Sequence, residues 1–151
     1  LLECKSFSSR DFAKSHPQGE LGKRLLRKSE DIMFTKKLPF VTKDITVLKA
    51  IDTITKFNYG IVIAVDAKKK LLGIFTDGDL RRVLKKYKNI KDLSLYKVMT
   101  KRPITVSNEI MAAEALNVME KNEITSLIVL DNKKTIIGLL TLNELLKKGF
   151  E

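Results

Sequence analysis

The chain has 151 residues, of which 44% are hydrophobic and 31% charged, with a formal net charge of +11. This length is sufficient for one good hydrophobic core or two small fused cores. No apolar run approaches the roughly 18 residues of a membrane span, and residues 1–9 lack the pattern of a signal peptide, so we expect a soluble chain without a membrane partner. The only cysteine is Cys4, which excludes an internal disulfide and favours a reducing, cytoplasmic location. Because the first residue is Leu1, we also expect a piece of a longer protein.

The positive charge makes anions the expected class of partner. The lysines are distributed along the chain, with some in predicted hairpin turns (residues 68–70 and 133–134) and others in predicted helices. No aromatic platform or nucleic-acid motif is interleaved with them. We therefore interpret them as a solvated basic surface rather than one groove, and we predict no nucleic-acid partner.

Residues 1–33 differ in character from the rest of the chain. Residues 19–26 are typical of a turn that leads into a helix, whereas residues 15–17 are typical of a loop, because the residue before a proline is disfavoured in the helical region. This arm has too few apolar residues to fold alone. We expect it to pack on a partner or on a domain outside this chain.

From residue 41 onward the chain contains an internal repeat with an offset of 65 residues, as from Gly73 to Gly138. Each copy predicts a strand, a helix, a two-strand hairpin and a closing helix. The predicted strands are residues 40–41, 61–65 and 71–75 in the first copy and 104–106, 127–130 and 136–140 in the second. The apolar helix stripes are Val47, Ala50, Ile51 and Ile54, matched by Ala112, Ala115, Leu116 and Met119. We interpret these stripes as core positions rather than cofactor contacts, and residues 91–100 as the link between the copies.

The most informative motif lies at residues 73–82, where an apolar strand leads directly into polar groups. Thr76 and Asp79 are three residues apart across a strand-to-helix turn, so a hydroxyl and a carboxylate can meet one ligand. The start of the helix adds N–H donors that suit a phosphate, and Arg81 and Arg82 can bind an anion. The alternative is that Thr76 or Asp79 only caps the helix and that both arginines are solvated. Thr141 and Glu144 repeat the pair in the second copy.

A duplicated strand-helix-strand-strand-helix unit with this motif resembles the cystathionine β-synthase (CBS) domain pair. The resemblance implies an α+β fold of two copies with pseudo-twofold symmetry and clefts that bind nucleotides such as AMP, ATP or S-adenosylmethionine. It implies three regions: 1–31 as a preceding domain's tail and linker, 32–90 as the first CBS domain, and 91–151 as the second.

By the same resemblance, Thr76 and Asp79 would hold ribose hydroxyls in one cleft, and Thr141 with Glu144 in the other. Glu144 departs from the family's Asp by one methylene. Further ligand contacts would come from Asp44, Val98, Gly60, Thr125 and Ser126. The second copy lacks the family's small-Pro-Val pattern at residues 125–130, so we expect its cleft to be degenerate.

Residues 11–26, read together with residues 73–82, are similar to the family of bacterial D-arabinose 5-phosphate isomerases. In that family a sugar isomerase (SIS) domain precedes a CBS pair. The enzyme interconverts ribulose 5-phosphate and arabinose 5-phosphate for 3-deoxy-D-manno-octulosonate synthesis. His16 matches the family's catalytic histidine, but this chain would lack most of the active site and would not be catalytic alone. The resemblance implies a regulatory module with no required cofactor or metal, with the SIS domain as a partner, and with a CBS dimer or an enzyme tetramer.

Three ligand hypotheses remain open from the sequence. The first is a nucleotide sugar that reports pathway flux, for which the CMP conjugate of 3-deoxy-D-manno-octulosonate has a ribose and anionic groups. The second is an adenine nucleotide, AMP or ATP, read by an energy sensor. The third is that the module binds nothing and only holds the oligomer together.

Overall fold

The computed structural model describes residues 27–148, which divide into two compact units. We call Lys36–Ile104 together with Lys133–Ile136 the first-copy unit. Within the described range, the second-copy unit consists of residues 27–35, 105–132 and 137–148. His16 and the rest of residues 1–26 lie outside the described residues.

The first-copy unit is built on a three-stranded sheet in the order β1-β2-β3. Its elements are β1 (Phe40–Val41), α1 (Val47–Phe57), β2 (Ile61–Val65), β3 (Leu71–Thr76), α2 (Asp77–Lys86) and α3 (Leu95–Val98). Strand β1 is parallel to β2, and β2 forms an antiparallel hairpin with β3. Every residue of β2 is buried, as expected for the apolar central strand of a covered sheet. Helix α1 begins where Thr46 Oγ1 accepts a hydrogen bond from the Lys49 N–H at 3.3 Å.

The second-copy unit repeats this plan with the sheet order β4-β5-β6. Its elements are β4 (Thr105–Ser107), α4 (Ala112–Asn122), β5 (Ser126–Leu130), β6 (Ile136–Thr141) and α5 (Leu142–Lys148), and of these residues only Ile136 is grouped with the first-copy unit. The repeat extends to the backbone, because Asn58 and Glu123 end α1 and α4 with φ angles of 59° and 54°. The predicted α+β fold and the internal duplication are confirmed.

The helix stripes predicted from the sequence pack into two hydrophobic cores. The first core contains Val47, Ala50, Ile54, Val62, Ala64, Phe75, Val83, Leu95 and Met99. The second contains Ile32, Ala112, Ala115, Met119, Leu127, Val129, Leu140 and Leu145. Ile51 and Leu116 are part-buried and pack against these clusters. The interpretation of the stripes as core is therefore correct.

The segments that precede each copy also belong to the packed units, which corrects two expectations. Ile32 is 0% exposed, and Phe34 exchanges backbone hydrogen bonds of 2.8 and 2.9 Å with Leu139 of β6. Thr100 does the same with Ile74 of β3, at 2.8 and 2.9 Å. The edge strands β3 and β6 have backbone groups that need partners, and these short segments supply them. Residues 27–33 thus pack within the described chain, and residues 91–100 are more than a link.

Candidate functional site

The strand-to-helix junction of the first copy is held by a reciprocal pair of helix-capping hydrogen bonds. Thr76 Oγ1 accepts from the Asp79 N–H at 3.2 Å, and Asp79 Oδ2 accepts from the Thr76 N–H at 3.0 Å. This capping box satisfies two N–H groups that the helix itself leaves without partners. Helix capping, the alternative to ligand binding, therefore accounts for these contacts. The same cap holds the Thr76 hydroxyl 3.1 Å from the Asp79 carboxylate.

Asp79 is the centre of this site because four donors converge on its carboxylate. The residue is only 6% exposed. Besides the N–H and hydroxyl of Thr76, its oxygens accept from Arg82 Nη2 at 2.6 Å and from Thr100 Oγ1 at 3.4 Å. A carboxylate has about four lone-pair positions, so this one is fully used. The burial of a negative charge is offset by this complete set of partners.

Thr100 was not predicted as a site residue from the sequence. The segment Val98-Met99-Thr100 matches Ile32-Met33-Phe34, but with an offset of 66 residues rather than 65. Because of this one-residue difference, an ungapped alignment of the two copies does not pair Thr100 with Phe34. Val98, which was predicted as a ligand contact, is a part-buried residue that packs against the first core two positions before Thr100.

The two arginines have different surroundings. The Arg82 guanidinium pairs with Asp79, although its side chain is 73% exposed. Arg81 is exposed on the same helix, and adjacent helical residues do not face each other. Joint binding of one anion by Arg81 and Arg82 stays a prediction.

Gly60 lies directly beside the junction. Its carbonyl accepts a hydrogen bond from the Asp77 N–H at 3.1 Å, because Ile61 pairs with Thr76 at the end of the hairpin. Its φ angle is +71°, and an added Cβ would lie 3.0 Å from Asp77 Oδ2. Glycine is therefore favoured here by both conformation and space. The structure thus brings Gly60, Thr76 and Asp79 together, whereas Asp44 lies in the exposed turn before α1.

The second copy has a junction with the same threonine cap and different surroundings. Thr141 Oγ1 accepts from the Glu144 N–H at 3.2 Å, and the Leu142 N–H donates to the Thr125 carbonyl at 2.9 Å. Ser126 follows as the first residue of β5. Glu144 Oε2 lies 3.8 Å from Lys148 Nζ.

The partner of β6 also differs from the partner of β3. Phe34 pairs with Leu139 in the position where Thr100 pairs with Ile74. The residue that corresponds to Thr100 in the second copy is therefore aromatic and has no hydroxyl.

Two hairpin turns form a basic depression within the first-copy unit. All five lysines that line it are exposed, as a solvated basic surface requires, but they lie closer together than their positions in the chain suggest. The depression has a volume of about 540 Å³. It is lined by Asp66, Ala67, Lys68, Lys69, Lys70, Lys133, Lys134 and Thr135. The sequence could not reveal this proximity because the two turns are far apart along the chain.

Neither a metal centre nor a membrane span is found in the described part of the chain. No group of three or more His, Cys, Asp or Glu side chains between residues 27 and 148 could hold a metal ion. Among the same residues, no helix is both long and apolar enough to cross a membrane.

Comparison with known sequences gives two results. Residues 30–86 and 90–151 each match the CBS domain family. The arabinose 5-phosphate isomerase KdsD of Pseudomonas aeruginosa is 43% identical over 150 residues, covering 99% of this chain and 46% of the relative. KdsD of Escherichia coli K12 is 41% identical over 150 residues, covering 99% of this chain and 45% of the relative. The chain therefore spans about half the length of these curated relatives.

Solved structures share the fold at low sequence identity. An uncharacterized conserved protein from Pyrococcus horikoshii aligns with a TM-score of 0.76 and 23% identity, covering 84% of this chain and 95% of that chain. The CBS domain pair of protein MJ0100, in complex with 5′-methylthioadenosine and S-adenosyl-L-methionine, aligns with a TM-score of 0.73 and 22% identity, covering 83% and 99%. The repeat, the two equivalent sheets and these matches agree, and the chain belongs to the CBS domain family as a tandem pair of CBS domains.

Proposed function

We propose that this chain is the regulatory, ligand-binding module of a D-arabinose 5-phosphate isomerase. The parent enzyme would convert ribulose 5-phosphate to arabinose 5-phosphate, the first step towards 3-deoxy-D-manno-octulosonate, in the cytoplasm. The chain itself would not be catalytic. Its partners would be the SIS domain of the same protein and further copies of the chain. The identity to the KdsD enzymes over nearly the whole chain supports this proposal.

The observation that carries the binding role is the buried Asp79 carboxylate, in contact with two hydroxyls and one guanidinium. Vicinal hydroxyls of a ribose are donors of the kind that this carboxylate already accepts. Thr76 is fixed by the cap, whereas Arg82 is largely exposed and Thr100 is exposed. A ribose would therefore replace Arg82 and Thr100 at the carboxylate. The displaced Arg82 would then contact the anionic groups of the same ligand.

The ligand class that fits this exchange is a nucleotide or a nucleotide sugar. The CMP conjugate of 3-deoxy-D-manno-octulosonate has a ribose, a phosphate and a carboxylate, so it can use both Asp79 and Arg82. Adenine nucleotides are the alternative. The CBS pair of MJ0100 was solved with adenosine compounds, and CBSX2 was solved with AMP.

Calorimetric titration of the CMP conjugate, CMP, AMP and ATP tests the site. Asp79→Asn keeps the size of the side chain and an oxygen for the cap but removes the charge, so we expect binding to weaken by about tenfold or more. Glu144→Gln is the matched variant in the second copy, and it should retain binding. Equal affinity for Asp79→Asn and the wild type would exclude Asp79 as the ribose contact. The absence of any binding would favour a structural module.

Exposed apolar side chains favour that second candidate, a module that holds an oligomer together. Leu84 is 56% exposed on α2, and Leu48 and Ile104 are also exposed in the first-copy unit. Light scattering of Leu84→Gln should then show a smaller species than the wild type. Lys85→Gln, at the neighbouring exposed position, should leave the size unchanged. Identical masses for both variants and the wild type would count against Leu84 as part of an interface.

A further inference from the structure

The first of the two turns that form the basic depression is held by hydrogen bonds. Asp66 Oδ1 accepts from the Lys68 N–H at 2.8 Å and from the Lys70 N–H at 2.9 Å. The Lys69 N–H donates to the Asp66 carbonyl at 3.0 Å, and Lys69 has a φ angle of 60°. Lys134, its equivalent in the second turn, has a φ angle of 61°. Each turn therefore has a lysine in the left-handed backbone conformation at the equivalent position.

The charge of this depression determines what it can bind. Five lysines line it, and the single lining carboxylate, Asp66, already accepts two backbone N–H groups. Like charges in one concave surface raise its positive potential and attract anions of high charge density. A lysine ammonium acts as a point charge for phosphate and does not impose the planar geometry of a guanidinium.

The size and lining of the depression indicate a small ligand rather than a polymer. Its volume of about 540 Å³ lies in the range of small-molecule sites. No aromatic side chain lines it, so it offers no platform for stacking nucleic-acid bases. We propose that this depression binds a compact anion that carries several phosphate groups, at a site separate from Asp79.

Calorimetric titration of the 151-residue chain with inorganic triphosphate tests the proposal. We expect binding at low salt that weakens as salt is added. The double variant Lys69→Gln/Lys134→Gln should bind at least about tenfold more weakly. Lys56→Gln/Lys121→Gln is the matched control, because these lysines lie at equivalent positions in the last turns of α1 and α4. Both double variants lose two positive charges, so a difference between them reports position rather than net charge.

Three outcomes would overturn the proposal. The first is no triphosphate binding by the wild type, and the second is equal weakening in both double variants. The third is that the wild type binds a DNA duplex more tightly than triphosphate and that Lys69→Gln/Lys134→Gln loses the DNA binding. This result would identify a nucleic-acid surface instead. Asp79→Asn should retain triphosphate binding. This variant therefore separates a failure at the depression from a failure at the nucleotide site.

Discussion

The two strand-to-helix junctions have the same cap and different surroundings. At both, a threonine hydroxyl accepts the N–H of the acidic residue three positions later. In the first copy the acidic group is Asp79, which also accepts from Thr100 and Arg82. In the second copy it is Glu144, whose ion-pair partner is Lys148, and Phe34 takes the place of Thr100. The capping hydrogen bond therefore serves the fold in both copies, whereas the convergent polar groups distinguish the first copy as the binding candidate.

The largest expected difference in stability between the copies is for substitutions of the glycines that precede the two junctions. A Cβ on Gly73 would lie 2.6 Å from the backbone oxygen of Thr100, whereas on Gly138 the nearest atoms belong to the Met33 side chain. A methionine side chain can adapt, but a hydrogen-bonded backbone cannot move without loss. We expect Gly73→Ala to lower the free energy of unfolding by about 3 kcal/mol and Gly138→Ala by about 1 kcal/mol. Urea unfolding measures both, and a larger loss for Gly138→Ala would refute the comparison.

A smaller difference is expected for the acidic cap residues. Asp79→Ala removes the acceptor of the Thr76 N–H and leaves Arg82 without its partner, so we expect a loss of about 2 kcal/mol. Glu144→Ala removes a carboxylate whose ion pair is long, at 3.8 Å, and should cost under about 1 kcal/mol. Thermal and urea unfolding of the two variants provide the measurement. Equal losses would mean that the two carboxylates have the same structural role.

The smallest expected effect is a gain in stability at Ser29. Its N–H donates to the Ile110 carbonyl at 2.9 Å. In the same way, the N–H of the core residue Leu95 donates to the Ile45 carbonyl at 2.9 Å. Ser29 is 0% exposed, and its hydroxyl has no hydrogen-bond partner. Ser29→Val removes this unpaired polar group and adds apolar contacts, so we expect a gain of about 1 kcal/mol.

Ser29→Ala separates the two contributions to that gain, since it removes the hydroxyl without adding methyl groups. We expect a smaller increase in melting temperature than for Ser29→Val. Destabilisation by both variants would show that the hydroxyl makes a favourable contact.

The sequence was sufficient to predict the helices, the strands and the Thr76–Asp79 helix cap, because all of them depend on residues that are close together in the chain. The 65-residue offset correctly predicted the strands, the helices and the core stripes. The spacing of Thr76 and Asp79 predicted that their side chains meet, since residues three apart across a helix start are in reach of each other. The role of these residues in ligand binding stays a prediction.

Only the tertiary structure decided how distant segments complete each site. Thr100 lies 21 residues from Asp79 and reaches it because β3 needs a backbone partner at its edge. The segment with Ile32 and Phe34 joins the second core for the same reason on β6. The two lysine turns meet although more than sixty residues separate them. Local pattern carries no information on such contacts, because their partners are selected by packing and by backbone hydrogen bonds rather than by sequence spacing.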